Sequence, residues 1–322
     1  MNNALITIQS LEKEFVVRRG FFPRPKKIIR AVDGIDFSIN TGETFGLVGE
    51  SGCGKSTTGR MLVRLMPPTS GKIYYQGEEL TAKTEKQMLP LRRNLQMIFQ
   101  NPHGSLNPRM SLEQILEEPL KIHRYPFSNR AKRIRELMDY VGLSQTSMDR
   151  YPAEFSGGQR QRIAIARALA LDPKFIVADE AVSALDVSIQ AQILNLLMDL
   201  QKELGLTYLF ISHDLGVVNY ISDRIGVMYL GKLVEVADCN TLYRRPLHPY
   251  TKILLASVPV ADPNQTFKAM AWDTPEGDFP APPAGCSFYN RCRERLDICS
   301  RQKPSLKEQA QGQSVACHLF NP

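Results

Sequence analysis

The eight residues from Gly49 to Ser56 constrain this chain more than any other part of its sequence. They fit the phosphate-binding pattern G-x-x-x-x-G-K-S/T at every position, with a strand pattern before them and a helix pattern after them. The glycines let successive backbone N–H groups point inward around an anion, and the following helix adds its positive dipole end. Lys55 is expected to reach the β and γ phosphates of a nucleotide, and the Ser56 hydroxyl to bind Mg²⁺. The predicted nucleotide-binding residues of this loop are Gly49, Glu50, Ser51, Gly52, Cys53, Gly54, Lys55, Ser56 and Thr57.

The order of the apolar segments predicts an α/β fold. Short apolar runs at residues 45–48, 95–99, 175–178 and 207–211 predict buried strands of a mostly parallel sheet covered by helices. A helical pattern at 189–204 stops near Gly205. After residue 100 the strand pattern gives way to helical, polar sequence, which predicts a helical insertion subdomain at about 101–165. The predicted fold class is a P-loop nucleotide-binding domain with a mixed-sheet core, this insertion and a small cysteine-rich C-terminal extension.

Two acidic residues, Asp179 and Glu180, directly follow the third apolar run. Hydrolysis of ATP requires one group to hold the Mg²⁺ shell and another to polarise the attacking water. Acidic residues also end strands simply as solvated caps, so the pair alone predicts little. Together with the phosphate-binding loop upstream, it predicts Asp179 as a Mg²⁺ ligand and Glu180 as the general base.

A second helix start carries another anion-binding pattern. Ser156, Gly157, Gly158 and Gln159 open a helix that runs to about residue 171. A serine and two glycines at a helix amino terminus make a phosphate site. One bound nucleotide does not need two phosphate sites on separate elements of one chain. The arrangement makes sense if the second site serves the nucleotide held by another chain.

With these motifs in place, the chain resembles the ATP-binding-cassette (ABC) family, whose signature Ser-Gly-Gly-Gln follows a helical insertion. The resemblance implies that Gln100 senses Mg²⁺ and the membrane subunit. It implies that Asp186 belongs to a loop that contacts the other cassette, and that His213 contacts the γ-phosphate. Phe15 is expected to stack on adenine, although it could equally be a core residue. The implied catalytic residues are Lys55, Gln100, Glu180 and His213, and the implied Mg²⁺ ligands are Ser56, Gln100 and Asp179.

The resemblance narrows to the ATPases of oligopeptide/dipeptide importers, on segments at 100–110, 183–192, 245–255 and 277–317. It implies an ABC ATPase domain at 1–255 and an oligopeptide-transporter-type extension at 256–322, which begins with a proline-rich linker. The chain departs from the family at Ala181 and Arg293, where prolines are common. Neither departure removes a catalytic group, so we expect activity to be retained.

The resemblance also implies a function and its partners. ATP hydrolysis by this subunit would power the import of oligopeptides or dipeptides at the cytoplasmic face of the inner membrane, where the chain is peripheral. The implied partners are a second ATPase subunit, identical or related, two transmembrane permease subunits and an extracytoplasmic solute-binding protein. No apolar run approaches the roughly 18 residues needed to span a bilayer, so a membrane role requires such partners.

Three alternatives remain open at this point. The same ATPase could serve another small solute, such as nickel or a sugar. The net charge of +7 would also suit a soluble ABC ATPase that acts on nucleic acid or ribosomes. Such proteins usually carry two cassettes or a long inserted coiled coil, and neither pattern is visible, so no nucleic-acid partner is expected. A nucleotide-dependent binder without hydrolysis is disfavoured by the intact catalytic set.

Four of the six cysteines crowd into the last 37 residues, at Cys286, Cys292, Cys299 and Cys317. In a reducing compartment such a cluster indicates a metal or iron–sulfur site rather than disulfides. The close-set C-x₂-C pairs of zinc ribbons are missing, which weighs against zinc. The resemblance implies a [4Fe–4S] cluster on these residues, and four reduced thiols stay possible. The basic segment at 18–30 predicts either a solvated loop or a contact with anionic lipid or a neighbouring subunit.

Overall fold

The computed structural model describes residues 3–17, 27–257, 284–309 and 312–320 of the chain. Residues 18–26 of the basic segment and the proline-rich stretch at 258–283 lie outside the described residues. No helix in the described part of the chain is long and apolar enough to cross a membrane.

The strands form two sheets. In chain order they are β1 (Ala4–Val17), β2 (Lys27–Asn40), β3 (Thr44–Val48), β4 (Ser70–Tyr75), β5 (Glu78–Glu79), β6 (Leu95–Ile98), β7 (Phe175–Asp179), β8 (Thr207–Ile211), β9 (Arg224–Tyr229), β10 (Lys232–Asp238), β11 (Lys307–Glu308) and β12 (Ser314–Val315).

The helices cover the sheets and fill the segment between β6 and β7. They are α1 (Lys55–Leu62), α2 (Glu85–Leu91), α3 (Pro102–Ser105), α4 (Leu112–Ile122), α5 (Phe127–Tyr140), α6 (Gly157–Leu169), α7 (Val187–Leu204), α8 (Leu215–Ile221), α9 (Cys239–Arg244) and α10 (Pro249–Ala256).

The central sheet has the strand order β11-β12-β10-β9-β3-β8-β7-β6. Strands β6, β7, β8, β3 and β9 run parallel, and β10, β12 and β11 continue the sheet antiparallel. Every residue of β3, β7 and β8 is buried, as expected for parallel strands covered on both faces. All four strands predicted from apolar runs are present, and the mixed sheet with its helices confirms the α/β nucleotide-binding domain of the predicted fold class.

The smaller sheet packs beside the phosphate-binding loop. It is antiparallel, with the order β2-β1-β4-β5. Phe37 of β2 stacks on Phe45 of β3 with ring centroids 5.0 Å apart, so the two sheets share an apolar core. This contact fixes β2 beside the segment that follows β3.

The region between β6 and β7 is helical. Helices α4, α5 and α6 pack on one another through fully buried side chains that include Leu116, Leu137 and Ile163. Ser111 begins α4 with a capping box, in which its hydroxyl accepts from the Gln114 N–H and the Gln114 side chain accepts from the Ser111 N–H. The amino end of α6, at Ser156, is exposed at the surface of this packed helical unit.

The C-terminal tail is built into the central sheet. Strand β12 pairs with β10, and β11 pairs with β12. The fully buried carboxylate of Glu235 in β10 accepts hydrogen bonds from the N–H groups of Leu247 and His248, at 2.8 and 2.9 Å. It also accepts one from the Gln313 side chain in the tail, at 2.6 Å. One buried side chain thus anchors both the segment before α10 and the tail.

We expect Glu235→Ala to lower the free energy of unfolding by about 3 kcal/mol or more, because each buried donor left unsatisfied costs roughly 1–3 kcal/mol. Urea denaturation monitored by circular dichroism measures the change. Glu308→Ala is the matched control, since Glu308 is an exposed carboxylate in the same tail, and it is expected to change stability by no more than about 0.5 kcal/mol. Equal effects of the two substitutions would contradict the anchoring role of Glu235.

Candidate nucleotide-binding and hydrolysis site

The phosphate-binding loop connects β3 to α1 in a shape that two glycines make possible. Gly49 has a φ of 149° and Gly54 a φ of 111°. A Cβ atom on Gly49 would lie 2.1 Å from the carbonyl oxygen of Met228, and one on Gly54 would lie 2.1 Å from that of Ala31. Only glycine fits at either position, so the loop is held tightly between β2 and β9.

Lys55 places a positive charge inside this loop. The residue is 4% exposed, and its ammonium group donates hydrogen bonds to the carbonyl oxygens of Gly49 and Glu50, at 2.7 and 3.0 Å. Among the described residues no carboxylate lies within ion-pair distance of it. A buried ammonium group whose described partners are all neutral favours an incoming anion. The arrangement therefore suits the phosphates of a nucleotide, as the sequence predicts.

Cys53 lies behind the same loop rather than at its surface. The thiol is 3% exposed, and burial raises its pKa. The Lys55 ammonium lies 3.8 Å from its sulfur. The Cys53 side chain is therefore a small, poorly nucleophilic filler beneath the loop.

Two oxygen ligands for a divalent cation meet beside the loop. The Ser56 hydroxyl donates to the Asp179 carboxylate at 2.7 Å. Asp179 is 1% exposed, and burial raises its pKa. Hydroxyl and carboxylate oxygens are the ligands that Mg²⁺ prefers, and a cation here would offset the cost of burying the carboxylate. The pair fits the predicted Mg²⁺ site.

The predicted hydrolysis residues lie together at the carboxyl ends of β6, β7 and β8. The Gln100 side chain donates to one Glu180 oxygen at 2.7 Å, and His213 Nδ1 lies 3.4 Å from the other. Glu180 has a φ of 48°, in the left-handed region that non-glycine residues rarely occupy, and its N–H donates to the Ile211 carbonyl at 2.9 Å. Strain of this kind concentrates at functional sites. The fold thus aims the Glu180 carboxylate between an amide and an imidazole.

The second anion-binding helix start is exposed and lies away from the phosphate-binding loop along the sheet. Ser156 caps α6, because its hydroxyl accepts from the Gln159 N–H at 3.3 Å while the Gln159 side chain accepts from the Ser156 N–H. Ser156, Gly157 and Gln159 are exposed. Helix α6 packs on β6, which is three strand spacings, or about 14 Å, from β3. The two predicted anion-binding helix starts therefore lie on different elements of the chain.

Asp186 and Gly158 shape the surface next to that helix start. Asp186 caps α7, and the Ile189 N–H that donates to its carboxylate lowers its pKa. A Cβ on Gly158 would lie 2.6 Å from an Ile189 methyl group, so glycine lets α6 and α7 begin side by side. The neighbouring Val187 is 82% exposed. The described surface here combines the exposed start of α6 with an exposed apolar side chain.

Phe15 lies in β1 close to the phosphate-binding loop. It is 37% exposed and pairs with Ile29 of β2, two residues before Ala31, whose carbonyl touches the Gly54 position. The ring is therefore partly accessible to solvent, with the Lys13 ammonium 5.4 Å from its centroid. Stacking on adenine stays a prediction.

Sequence reasoning missed two residues that contact the phosphate-binding loop. The Glu50 N–H donates to the Tyr250 hydroxyl oxygen at 2.9 Å. The Glu50 carboxylate accepts two hydrogen bonds from Arg291, each of 2.9 Å. Arg291 is separated from Glu50 by 241 positions, and no sequence pattern links such distant residues.

The four tail cysteines are near one another but do not form a ready metal site. Burial, with smaller contributions from Cys286, Cys292 and Cys299, raises the pKa of Cys317 to about 11. The described residues contain no group of three or more His, Cys, Asp or Glu side chains that could hold a metal ion. The structure therefore does not support the predicted [4Fe–4S] cluster.

Comparison with known proteins decides the family. The family model described as ABC transporter matches residues 32–183, and that of the oligopeptide/dipeptide transporter C-terminal region matches residues 234–299. The oligopeptide transport ATP-binding protein AppF of Bacillus subtilis is 50% identical over 322 residues, which cover 98% of each chain. This chain belongs to the ABC transporter family. The dipeptide transport ATP-binding protein DppF of Escherichia coli is 48% identical over 322 residues, covering 98% of this ABC ATPase and 95% of DppF.

Solved ABC cassettes share the fold. The dimeric, post-hydrolysis structure of the cassette MJ0796 bound to ADP and phosphate is 29% identical, with a TM-score of 0.64. It covers 73% of this ABC ATPase, which in turn covers 98% of that chain. The structure of cbiO1 from Clostridium perfringens is 25% identical, with a TM-score of 0.65. The match covers 76% of this chain and 92% of the cbiO1 chain. The chain is thus an ATP-hydrolysing cassette, as its motifs predict.

Proposed function

We propose that this ABC ATPase powers the import of oligopeptides or dipeptides through a membrane transporter. The observation that carries the proposal is the combination, in one chain, of an assembled hydrolysis site with a C-terminal region of oligopeptide/dipeptide type. Relatives of nearly the same length that are named as oligopeptide and dipeptide transport proteins support the substrate class. A nickel or sugar substrate, or a nucleic-acid role, finds no such support.

In the proposed reaction the loop N–H groups and the Lys55 ammonium bind the phosphates of ATP. Ser56 and Asp179 would hold Mg²⁺, which neutralises charge on the phosphates when bound. Glu180 accepts a proton from the attacking water, and its contacts with Gln100 and His213 keep the carboxylate aimed at the γ-phosphate position.

The exposed helix start at Ser156–Gln159 is proposed to complete the nucleotide site of a second ATPase subunit, either a copy of this chain or a close relative. The dimeric structure of MJ0796 with ADP and phosphate supports a paired arrangement. Asp186 and the exposed Val187 would lie in the same subunit contact. The further proposed partners are two permease subunits and an extracytoplasmic solute-binding protein, with this chain peripheral to the membrane at its cytoplasmic face.

Purification of the intact transporter with its solute-binding protein, followed by mass spectrometry of bound cargo, tests the substrate class. We expect short peptides, together with two permease polypeptides. ATP-dependent uptake into proteoliposomes should then be competed by unlabelled di- and oligopeptides but not by nickel or sugars. Uptake of nickel or a sugar instead would contradict the peptide assignment and leave the ATPase assignment standing.

We also propose residues 256–322 as a cysteine-rich extension that follows an ATPase domain at 1–255 and pairs with its sheet, with the four tail thiols as ligands of a [4Fe–4S] cluster. The Cys286 N–H donates to the Cys299 carbonyl at 2.8 Å, which brings two of the four cysteines together, and thiolates are the usual ligands of such clusters. The protein would hold the cluster through Cys286, Cys292, Cys299 and Cys317.

Anaerobically purified protein is expected to show a broad visible absorption band, with iron and acid-labile sulfide in equal amounts. Cys299→Ser should abolish the band, whereas Cys239→Ser should not, because Cys239 is a buried thiol of the ATPase core. Colourless protein that contains zinc or no metal would contradict the cluster.

A further inference from the structure

The C-terminal tail touches the phosphate-binding loop through one charged pair. Arg291 immediately precedes Cys292, and two of its guanidinium nitrogens donate to the two carboxylate oxygens of Glu50, each at 2.9 Å. Glu50 is the second residue of the loop, next to Gly49. Two parallel hydrogen bonds from a planar guanidinium group fix both partners in orientation as well as in distance.

Arg291 is held from behind by aromatic rings. Its guanidinium carbon lies 5.6 Å from the ring centroids of Tyr229 and Phe288 and 5.9 Å from that of Tyr250. Phe288 is itself a tail residue and is buried at 1% exposure, packed edge-on against Tyr229. A guanidinium group on such a platform is more ordered than one in an ordinary surface ion pair, which contributes little.

A second contact reaches the same loop residue. The Tyr250 hydroxyl accepts the Glu50 N–H at 2.9 Å, and the Tyr250 ring packs against Phe288 with centroids 5.6 Å apart. Both the backbone and the side chain of Glu50 are therefore held by one cluster, which joins α10, β9 and the tail. The conformation of the phosphate-binding loop is therefore coupled to the folding of the C-terminal tail.

The charge of Glu50 gives this contact a functional consequence. A carboxylate in a phosphate-binding loop repels the phosphates unless a cation neutralises it. We propose that Arg291 is a positioning residue for nucleotide binding, which neutralises Glu50, so that nucleotide affinity depends on the C-terminal tail. This inference rests on the proposed nucleotide site at Gly49–Ser56 and adds to it a residue that lies outside the cassette motifs.

The direction in which each substitution changes nucleotide affinity tests the inference in the full-length protein. Arg291→Gln is expected to raise the Kd for a non-hydrolysable ATP analogue with Mg²⁺ by about tenfold, the scale of losing a bidentate charged pair, while kcat at saturating ATP changes by less than about twofold. Glu50→Gln is expected to bind the analogue at least as tightly as wild type, because it removes the repelling charge. The double variant should bind within about threefold of wild type, and high salt should shrink the Arg291→Gln defect.

Isothermal titration calorimetry measures each Kd, with thermal melting as the check on folding. Arg301→Ala, an exposed arginine of the same tail, is the matched control and should bind normally. Normal binding by folded Arg291→Gln, or equal weakening by Glu50→Gln, would overturn the inference. If Arg291→Gln fails to fold, the Glu50→Gln result still decides, since tighter or equal binding agrees with charge neutralisation and weaker binding does not. Lys55→Ala distinguishes failure of this inference from failure of the proposed nucleotide site, because undiminished binding in that variant would overturn the nucleotide site itself.

Discussion

Glutamine in place of Glu180 is expected to lower ATP hydrolysis by about two to four orders of magnitude, the range for losing a general base. ATP binding should persist, because Glu180 touches neither Lys55 nor the Ser56–Asp179 pair in the described contacts. The substitution keeps the hydrogen bond with Gln100 possible and removes only the proton acceptor. ATP should therefore remain bound, and the variant should accumulate as an ATP-trapped dimer.

Phosphate release and size-exclusion chromatography in the presence of Mg²⁺ and ATP measure the two effects. Glu203→Gln is the control, since Glu203 is an exposed carboxylate on α7 and should hydrolyse ATP normally. Wild-type turnover by Glu180→Gln would refute the assignment of the general base.

Arginine in place of Ser156 is expected to lower hydrolysis by about 100-fold or more, the scale of removing a preorganised set of anion donors. The Kd for nucleotide should change little, because the helix start of α6 lies about three strand spacings from the chain's own phosphate-binding loop. Hydrolysis and nucleotide binding would thus respond differently to one exposed substitution.

Measurements of ATP turnover, and of nucleotide binding by calorimetry, show whether Ser156→Arg loses hydrolysis while it keeps its affinity for nucleotide. Thr146→Arg adds the same charge at another exposed position of the helical region and should leave both quantities unchanged. Parallel loss of binding and turnover in Ser156→Arg would indicate that the helix start acts within its own chain.

Most of this site can be predicted from the sequence because each of its motifs consists of residues that are adjacent in the chain. A phosphate-binding loop is defined by eight adjacent residues, and its glycines are required by the backbone at Gly49 and Gly54. Parallel strands buried on both faces appear as continuous apolar runs, and their carboxyl ends meet at one edge of the sheet. The meeting of Gln100, Glu180 and His213 follows from those two facts.

The contacts of the tail could not be predicted in the same way. Strands β11 and β12 have two residues each, too few for any periodicity to show. Glu235 lies between two valines in β10, and the sequence does not reveal that its partners include Gln313. The Arg291–Glu50 pair depends on the packing of Phe288 between two tyrosines. Such contacts are set by tertiary packing rather than by local pattern.

The central claim is that the two anion-binding helix starts meet across a pair of molecules, and mixing two inactive variants tests it. Lys55→Ala lacks the phosphate-binding lysine, and Ser156→Arg lacks a usable second site. A mixed pair contains one intact site, which combines Lys55 of one chain with Ser156 of the other. Random pairing should restore roughly a quarter of the wild-type hydrolysis rate in an equimolar mixture. No activity above that of the separate folded variants would contradict the claim.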